Sequence, residues 1–189
     1  MNTKNNQRAK ATRGVIKAAI LRLLEEGESL STVSVAKLCR QAEIHRSTFY
    51  AHYASPDDVF QEIEQDVLSQ AQGFFSGITP DNALEKIERF LRFVKDNLQV
   101  MRLFFVQTRN STFIEKLSGQ VGKDLFRSDT EVSPATAQML IPYLIEGSRG
   151  VIAAWIKSGC LTPEHELAVI INQSNQYAVF GMEKISRIT

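Results

Sequence analysis

Apolar residues recur along most of this chain at intervals of three and four, the spacing that gathers them on one side of an α-helix. Between Arg8 and Glu26 they are Val15, Ile16, Ala19, Ile20, Leu23 and Leu24, while Arg8, Arg13, Lys17 and Arg22 mostly take other faces. Gly27 supplies a left-handed stop. The pattern then predicts a short helix from Ser34 to Gln41, with Ser34 as N-cap and Val33 placed to pack on Leu38 across it. A turn at Ala42-Glu43-Ile44 leads into a third short helix, ending at Tyr50 or His52. Ser55-Pro56-Asp57-Asp58 reads as a fresh start: a cap, a proline at the first helical position, then acids facing the positive end of the helix dipole. The fourth helix is expected to reach about Phe75 and stop between Gly73 and Gly77.

The same periodicity fills the second half. Thr79-Pro80-Asp81 opens a helix with Leu84, Ile87, Phe90, Leu91, Val94 and Leu98 on one face, and a break is expected near Asn97. Apolar positions continue through Met101, Leu103, Phe104, Phe105 and Val106, and a shorter helix is expected around Ser111 to Leu117. Gly119 to Val132 reads as a flexible loop. Two long helices close the chain, from about Ala135 to Lys157 and from Pro163 to about Ile185. No stretch alternates with period two, so the fold class is all-α. The expected organisation is a three-helix helix-turn-helix head over residues 1–55 and a larger helical ligand-binding and dimerisation body over residues 56–189.

Composition narrows this. Of 189 residues, 43% are hydrophobic and 23% charged, values of a folded globular protein rather than a disordered one. Charge is unevenly placed. Through Ser55 there are nine bases and four acids, net +5, against thirteen bases and seventeen acids in the rest, net −4. A basic head on an acidic body suits a protein whose head alone meets a polyanion. No apolar run reaches the roughly 18 residues of a membrane span. Met1 to Lys10 is polar and basic with no apolar stretch behind it, unlike a signal peptide. Cys39 and Cys160 lie inside apolar helical patterns and read as two buried thiols in a reducing cytosol.

Reading duplex DNA needs a short helix that fits the major groove, braced by a second through a tight turn. Ser34 to Tyr53 meets that need. Leu38, Cys39, Ala42, Ile44, Phe49 and Tyr50 make a small core, and Arg46, Ser47 and Thr48 stand at the leading end of the third helix. The run Ser34-Val35-Ala36-Lys37-Leu38-Cys39-Arg40-Gln41-Ala42-Glu43-Ile44-His45-Arg46-Ser47-Thr48-Phe49-Tyr50-Ala51-His52-Tyr53 resembles the DNA-binding motif of the TetR/AcrR family. The likeness continues into Asp57-Asp58-Val59-Phe60. Tyr143, Gly147, Gly150, Ile152, Trp155 and Gly159, followed by Thr162-Pro163-Glu164, are similar to the C-terminal module of a Gram-positive branch that includes regulators of dihydroxyacetone-kinase operons.

The resemblance implies a homodimeric, cytoplasmic, nucleoid-associated transcriptional regulator, most simply a repressor, bound to double-stranded operator DNA. It places DNA contacts at Ser34, Lys37, His45, Arg46, Ser47, Thr48, Tyr50, His52 and Tyr53, with Arg46 reaching a base and a flexible basic arm adding sequence-neutral affinity. Three residues depart from the family pattern. Glu43 replaces the turn glycine, Pro56 replaces a phosphate-contacting lysine, and His45 stands where a serine or threonine cap is usual. They predict weaker or altered operator binding on an intact fold.

In the body, the two closing helices carry apolar residues on more than one face, which predicts a four-helix interface between two chains through Leu144, Gly147, Val151, Trp155, Ile170 and Tyr177. Phe74, Phe90, Phe93, Met101, Phe104, Phe105 and Tyr143 are candidates to line a pocket for a small apolar effector, against the alternative that they only pack the core. Control by a protein partner, or a helical dimer that has lost DNA binding, are the competing readings. The chain lacks a phosphate loop, a nucleotide glycine fingerprint, a nucleophile elbow and HExxH, so no enzyme activity, cofactor or metal is expected. Glu164-His165-Glu166 reads as the acidic first turn of the last helix.

Overall fold

A computed structural model describes residues 3–107 and 133–186, with residues 113, 115–117 and 119 between them. All regular structure among these residues is helical. The chain forms two compact units that divide between Val67 and Leu68. That division falls inside a helix, twelve residues beyond the end of the helix-turn-helix motif at Ser55, because the first turns of that helix supply Val59 and Ile63 to the buried core.

The first unit contains α1 (Thr3–Glu25), a 3-10 turn (Leu30–Thr32), α2 (Val35–Gln41), α3 (Arg46–Tyr50) and the leading part of α4 (Pro56–Phe75). Ile16, Ala19, Ile20, Leu23 and Leu24 are buried on one face of α1, whereas Val15 points outward. The stretch expected to be a flexible basic arm is instead the opening of α1, since nothing between Thr3 and Arg8 breaks a helix. Phe49, Leu38 and Val59 are fully enclosed, and Val33 is buried with Leu38 across the Ser34 cap as expected.

α1 and α2 end in the same way. Gly27 (φ 94°) follows α1, and the Glu28 N–H reaches back to the Leu23 carbonyl at 3.1 Å. After α2 the corresponding bonds run from the Ile44 N–H to the Cys39 carbonyl (3.0 Å) and from the Glu43 N–H to the Arg40 carbonyl (3.3 Å). This is a Schellman cap, whose left-handed residue is usually glycine. Here it is Glu43, with φ 53°. A side chain at this backbone angle costs on the order of 1 kcal/mol. Glu43→Gly is therefore expected to raise the stability of the head by about 1 kcal/mol, read as a higher urea midpoint at unchanged m-value.

The second unit holds α5 (Ala83–Asp96), α6 (Leu98–Arg102), a π-helical turn (Leu103–Gln107), α7 (Pro134–Lys157) and α8 (Glu164–Ser186). The expected break falls at Asn97, whose backbone leaves the helical region (φ −115°, ψ 31°) while its side-chain amide donates to the Phe93 carbonyl at 2.9 Å. Leu91, Val94, Met101, Phe104 and Phe113 are enclosed at the centre. α8 packs on α5 and α7. Glu164 and His165 have their own work there: Glu164 pairs with Lys95 at 2.5 Å, and His165 Nδ1 lies 2.9 Å from Glu88, which also pairs with Arg92. The expected loop over 119–132 lies outside the described residues except for Gly119, which is helical.

α7 stands out by hydropathy among the described helices. By length and composition alone, its Ala135–Lys157 stretch is apolar enough to cross a membrane. Charge is concentrated near its middle, where Arg149 pairs with Glu146 at 2.6 Å. The buried part of its apolar surface, Leu140, Leu144, Ile152, Trp155 and Ile156, belongs to the body's own core. The helix ends at Gly159 (φ 80°) in a third Schellman cap, and the Trp155 indole donates to the Thr162 carbonyl at 2.8 Å across the turn.

Candidate nucleic-acid interface

The α2–turn–α3 unit sorts the expected contact residues by which way the short helix turns them. Phe49 faces inward and is fully buried, its ring 5.6 Å from Tyr50 and 6.0 Å from Tyr53. That anchor leaves Arg46 and Ser47 exposed, Thr48 and His52 half-buried, and Tyr50 58% exposed. Cys39 lies close enough to Arg46 to feel its charge, but burial pushes the thiol up and keeps it neutral. It is no counter-ion for Arg46.

Ser34 serves α2 as its cap, accepting from the Lys37 N–H at 3.2 Å. Lys37 is held by Glu28 at 2.6 Å, so it reaches a phosphate only by giving up that carboxylate. His45 occupies the N-cap of α3 with the backbone angles of a cap (φ −75°, ψ 150°), yet its ring makes no capping bond and stays exposed. Tyr53 corrects the expected list. Only 7% exposed, it packs against Phe49 with the Arg13 guanidinium 5.7 Å from its ring centroid. Burial and the neighbouring Glu62 carboxylate push its phenol far above the ordinary range, and its hydroxyl is enclosed without a hydrogen-bond partner. Its aromatic ring is needed for the small core, which takes it off the outward face.

Behind this helix pair, α1 is tied to α4 by ions. Lys17 Nζ lies 2.8 Å from Glu62 and 2.6 Å from Asp66, and Arg13 lies 3.5 Å from Glu62. The start of α4 is capped reciprocally: the Ser55 hydroxyl accepts from the Asp58 N–H (3.2 Å), and the Asp58 carboxylate accepts from the Ser55 N–H (2.9 Å). The α1–α4 clasp was not foreseen from the sequence, although Arg13/Lys17 and Glu62/Asp66 are each spaced four apart on a helix, hence on one face. Burial opposes ionisation of Glu62, but Lys17 and Arg13 outweigh it and hold the carboxyl below its ordinary 4.5. A carboxyl with a depressed folded pKa adds stability above its unfolded pKa and loses it as pH falls through the folded value. Acidification below about pH 4.5 is therefore expected to loosen α1, measured as lower amide protection factors at each pH. Glu62→Gln should show a smaller acid-dependent change than wild type, and an equal change would assign the acid response elsewhere.

The second unit contains a half-open cavity of about 110 Å³, walled by Phe75, Ile78, Ile87, Phe90, Phe105 and Ile152. Of the expected lining residues only Phe90 and Phe105 reach it. Phe74 and Phe93 pack on each other (5.3 Å) and on Phe90 beside it, while Met101 and Phe104 are sealed in the core, Phe104 stacked on Phe113 at 4.7 Å. Ser148, Arg149 and Asn175 also line the cavity, a polar group the aromatic pattern did not reveal. Tyr143 is 68% exposed and lines nothing, because α7 turns it away from the side that carries Leu140 and Leu144 inward.

Tyr143 is instead one of the large apolar side chains left exposed on these two helices, with Met139 on α7 and Ile170, Tyr177 and Phe180 on α8. Of the residues expected at a chain–chain interface, Ile170, Tyr177 and Gly147 are exposed and Val151 is half-buried. Leu144 and Trp155 are not available: both are buried within the unit, Leu144 against the cavity and Trp155 through its bond to Thr162.

Comparison with known proteins agrees with this architecture. The TetR family model described as "Transcriptional regulator C-terminal region" matches residues 81–176, just over half of the chain. No curated protein sequence matches it. Among solved structures, a TetR transcriptional regulator from Streptococcus agalactiae is similar with a TM-score of 0.68 at 16% identity, over 92% of this chain and 98% of that one. A TetR-family regulator from Streptomyces coelicolor gives 0.62 at 16% identity, over 95% and 89%. The dihydroxyacetone kinase operon activator DhaS gives 0.59 at 17% identity, over 90% and 97%. With a helix-turn-helix at one end and the family's C-terminal region matched over the body, the chain belongs to the TetR family of transcriptional regulators.

Proposed function

We propose that the protein is a homodimeric repressor that reads a two-fold operator with α3 and is released when its body cavity is filled. The observation that carries the DNA-reading claim is the arrangement of α3: buried Phe49 fixes the helix while Arg46, Ser47 and Tyr50 stay outward, in a stretch (residues 1–55) of nine bases and four acids. Arg46 is assigned to a base edge, with Ser47, Thr48, Tyr50 and His52 on flanking phosphates and sugars. Its place of action is the nucleoid, in the cytoplasm. Dimerisation through the exposed apolar side chains of α7 and α8 would set two recognition helices about 34–36 Å apart, one turn of duplex. α4 contributes Val59 and Ile63 to the head and Phe75 to the cavity, so it is the element through which occupancy would be felt at the DNA.

Fluorescence anisotropy with DNA from upstream of the protein's own gene tests this reading. Specific binding that falls linearly in log–log salt plots is expected. Weak, sequence-blind affinity on every duplex tried would contradict it. A second reading, action through a protein partner, is favoured by the small size of the cavity, about 110 Å³. The two separate on whether a small molecule alone changes DNA affinity.

A further inference from the structure

We infer that the body cavity is built for a small amphiphile with an anionic head, such as a short-chain carboxylate, whose apolar tail enters between the phenylalanines while its head is held by Arg149 and Asn175. The inference rests on the effector-controlled reading above only for its regulatory consequence; the ligand class follows from the cavity itself. Its walls are aromatic and aliphatic apart from Ser148, Arg149 and Asn175, so a ligand must be largely apolar with one polar end. Ser148 and Asn175 meet, the Asn175 amide donating to the Ser148 hydroxyl at 3.2 Å, and Arg149, next on α7, lines the same cavity. Arg149 is the charged side chain among the described lining residues, and its sign selects an anion.

Glu146 does not reverse that sign. Its side chain is 56% exposed and is not among the lining residues, and it engages Arg149 through Nε (2.7 Å) and Nη2 (2.6 Å), so the ligand head is assigned to Nη1. The pair orients the guanidinium, a planar fork suited to a carboxylate. Asn175 adds an amide that donates to one oxygen of the head. Volume sets the length. A dry cavity of about 150 Å³ accepts benzene, so 110 Å³ holds a tail of about four to six carbons.

The test is calorimetric titration of the full-length protein, without DNA, with hexanoate, hexanol, hexylammonium and acetate. Hexanoate is expected to bind at least tenfold more tightly than the other three. Arg149→Met keeps the aliphatic stem and is expected to weaken hexanoate about ten- to a hundredfold while leaving hexanol unchanged. Ile152→Phe fills the apolar end and is expected to weaken hexanoate and hexanol alike. If Arg149→Met does not fold, wild type still decides through the four-probe ranking. Equal binding of hexanoate and hexanol, or preference for hexylammonium, overturns the inference. Hexanoate binding that depends on Arg149 but leaves DNA affinity unchanged supports the ligand class and overturns effector control instead.

Discussion

Asp at both Ile170 and Tyr177 is expected to convert the protein to a monomer and to abolish tight operator binding with it. Ile170 is 50% exposed and Tyr177 75% exposed in the single chain, seven residues apart on one face of α8, and Tyr143 (68%) and Met139 (71%), four apart on α7, are exposed as well. Large apolar side chains left bare in this way mark a surface meant to be covered. A two-fold interface uses the same patch on both chains, so two substitutions place four carboxylates in one seam. Each buried without a partner costs several kcal/mol, enough to weaken dimerisation by more than about a hundredfold. Sedimentation velocity reads the loss directly. Leu161→Asp is the control: Leu161 is 82% exposed, but it lies in the turn between α7 and α8, outside both helices. Its dimer should survive. If the double variant remains dimeric, the interface lies elsewhere.

Arg46→Ala is the second large effect, expected at the DNA rather than in the fold. Arg46 is exposed at the first position of α3, so its removal opens no cavity and should leave stability within about 0.5 kcal/mol. An arginine paired bidentately with a guanine edge is worth about 1–3 kcal/mol of discrimination, which makes the expected loss of specific affinity roughly tenfold to more than a hundredfold. Binding to random duplex should change far less. Lys10→Ala, on the exposed surface of α1, should weaken all sequences alike and lower the salt slope by about one. Glu43 bears on the same measurement, since an acid in the α2–α3 turn would stand near the phosphates if α3 reads the duplex as proposed. The glycine variant that relieves its φ of 53° should bind DNA more tightly as well as fold more stably.

The head was the more legible half of the chain because its signals are local. The Ser34 cap, the Ala42-Glu43-Ile44 turn and the Ser55-Pro56-Asp57-Asp58 start are each decided within a few residues, and α2, α3 and α4 fall where those signals place them. Glu43 was marked by the family resemblance, where it replaces the turn glycine, and the structure gives it a left-handed backbone with φ 53°. What the sequence concealed was which side of a helix meets which partner. Tyr53 reads as a polar-tipped contact residue, yet its ring is required by the core. The body shows the same ambiguity more strongly. α7 is apolar on several sides, so periodicity cannot tell Leu144 and Trp155, which face inward, from Tyr143, which faces out. The polar end of the cavity escaped because Ser148 and Asn175 come from different helices, twenty-seven residues apart, and nothing local marks their meeting. The α1–α4 clasp escaped for the same reason, with Lys17 and Asp66 forty-nine residues apart.

Selection of bound sequences from a pool of random duplex DNA by the full-length protein tests operator reading by α3. Enrichment is expected of a two-fold-symmetric site whose half-sites lie about 34–36 Å apart, with sequence information lost from each half-site when Arg46→Ala replaces the wild type. A pool that stays random through repeated rounds, or a single asymmetric half-site that Arg46→Ala still enriches, would contradict it.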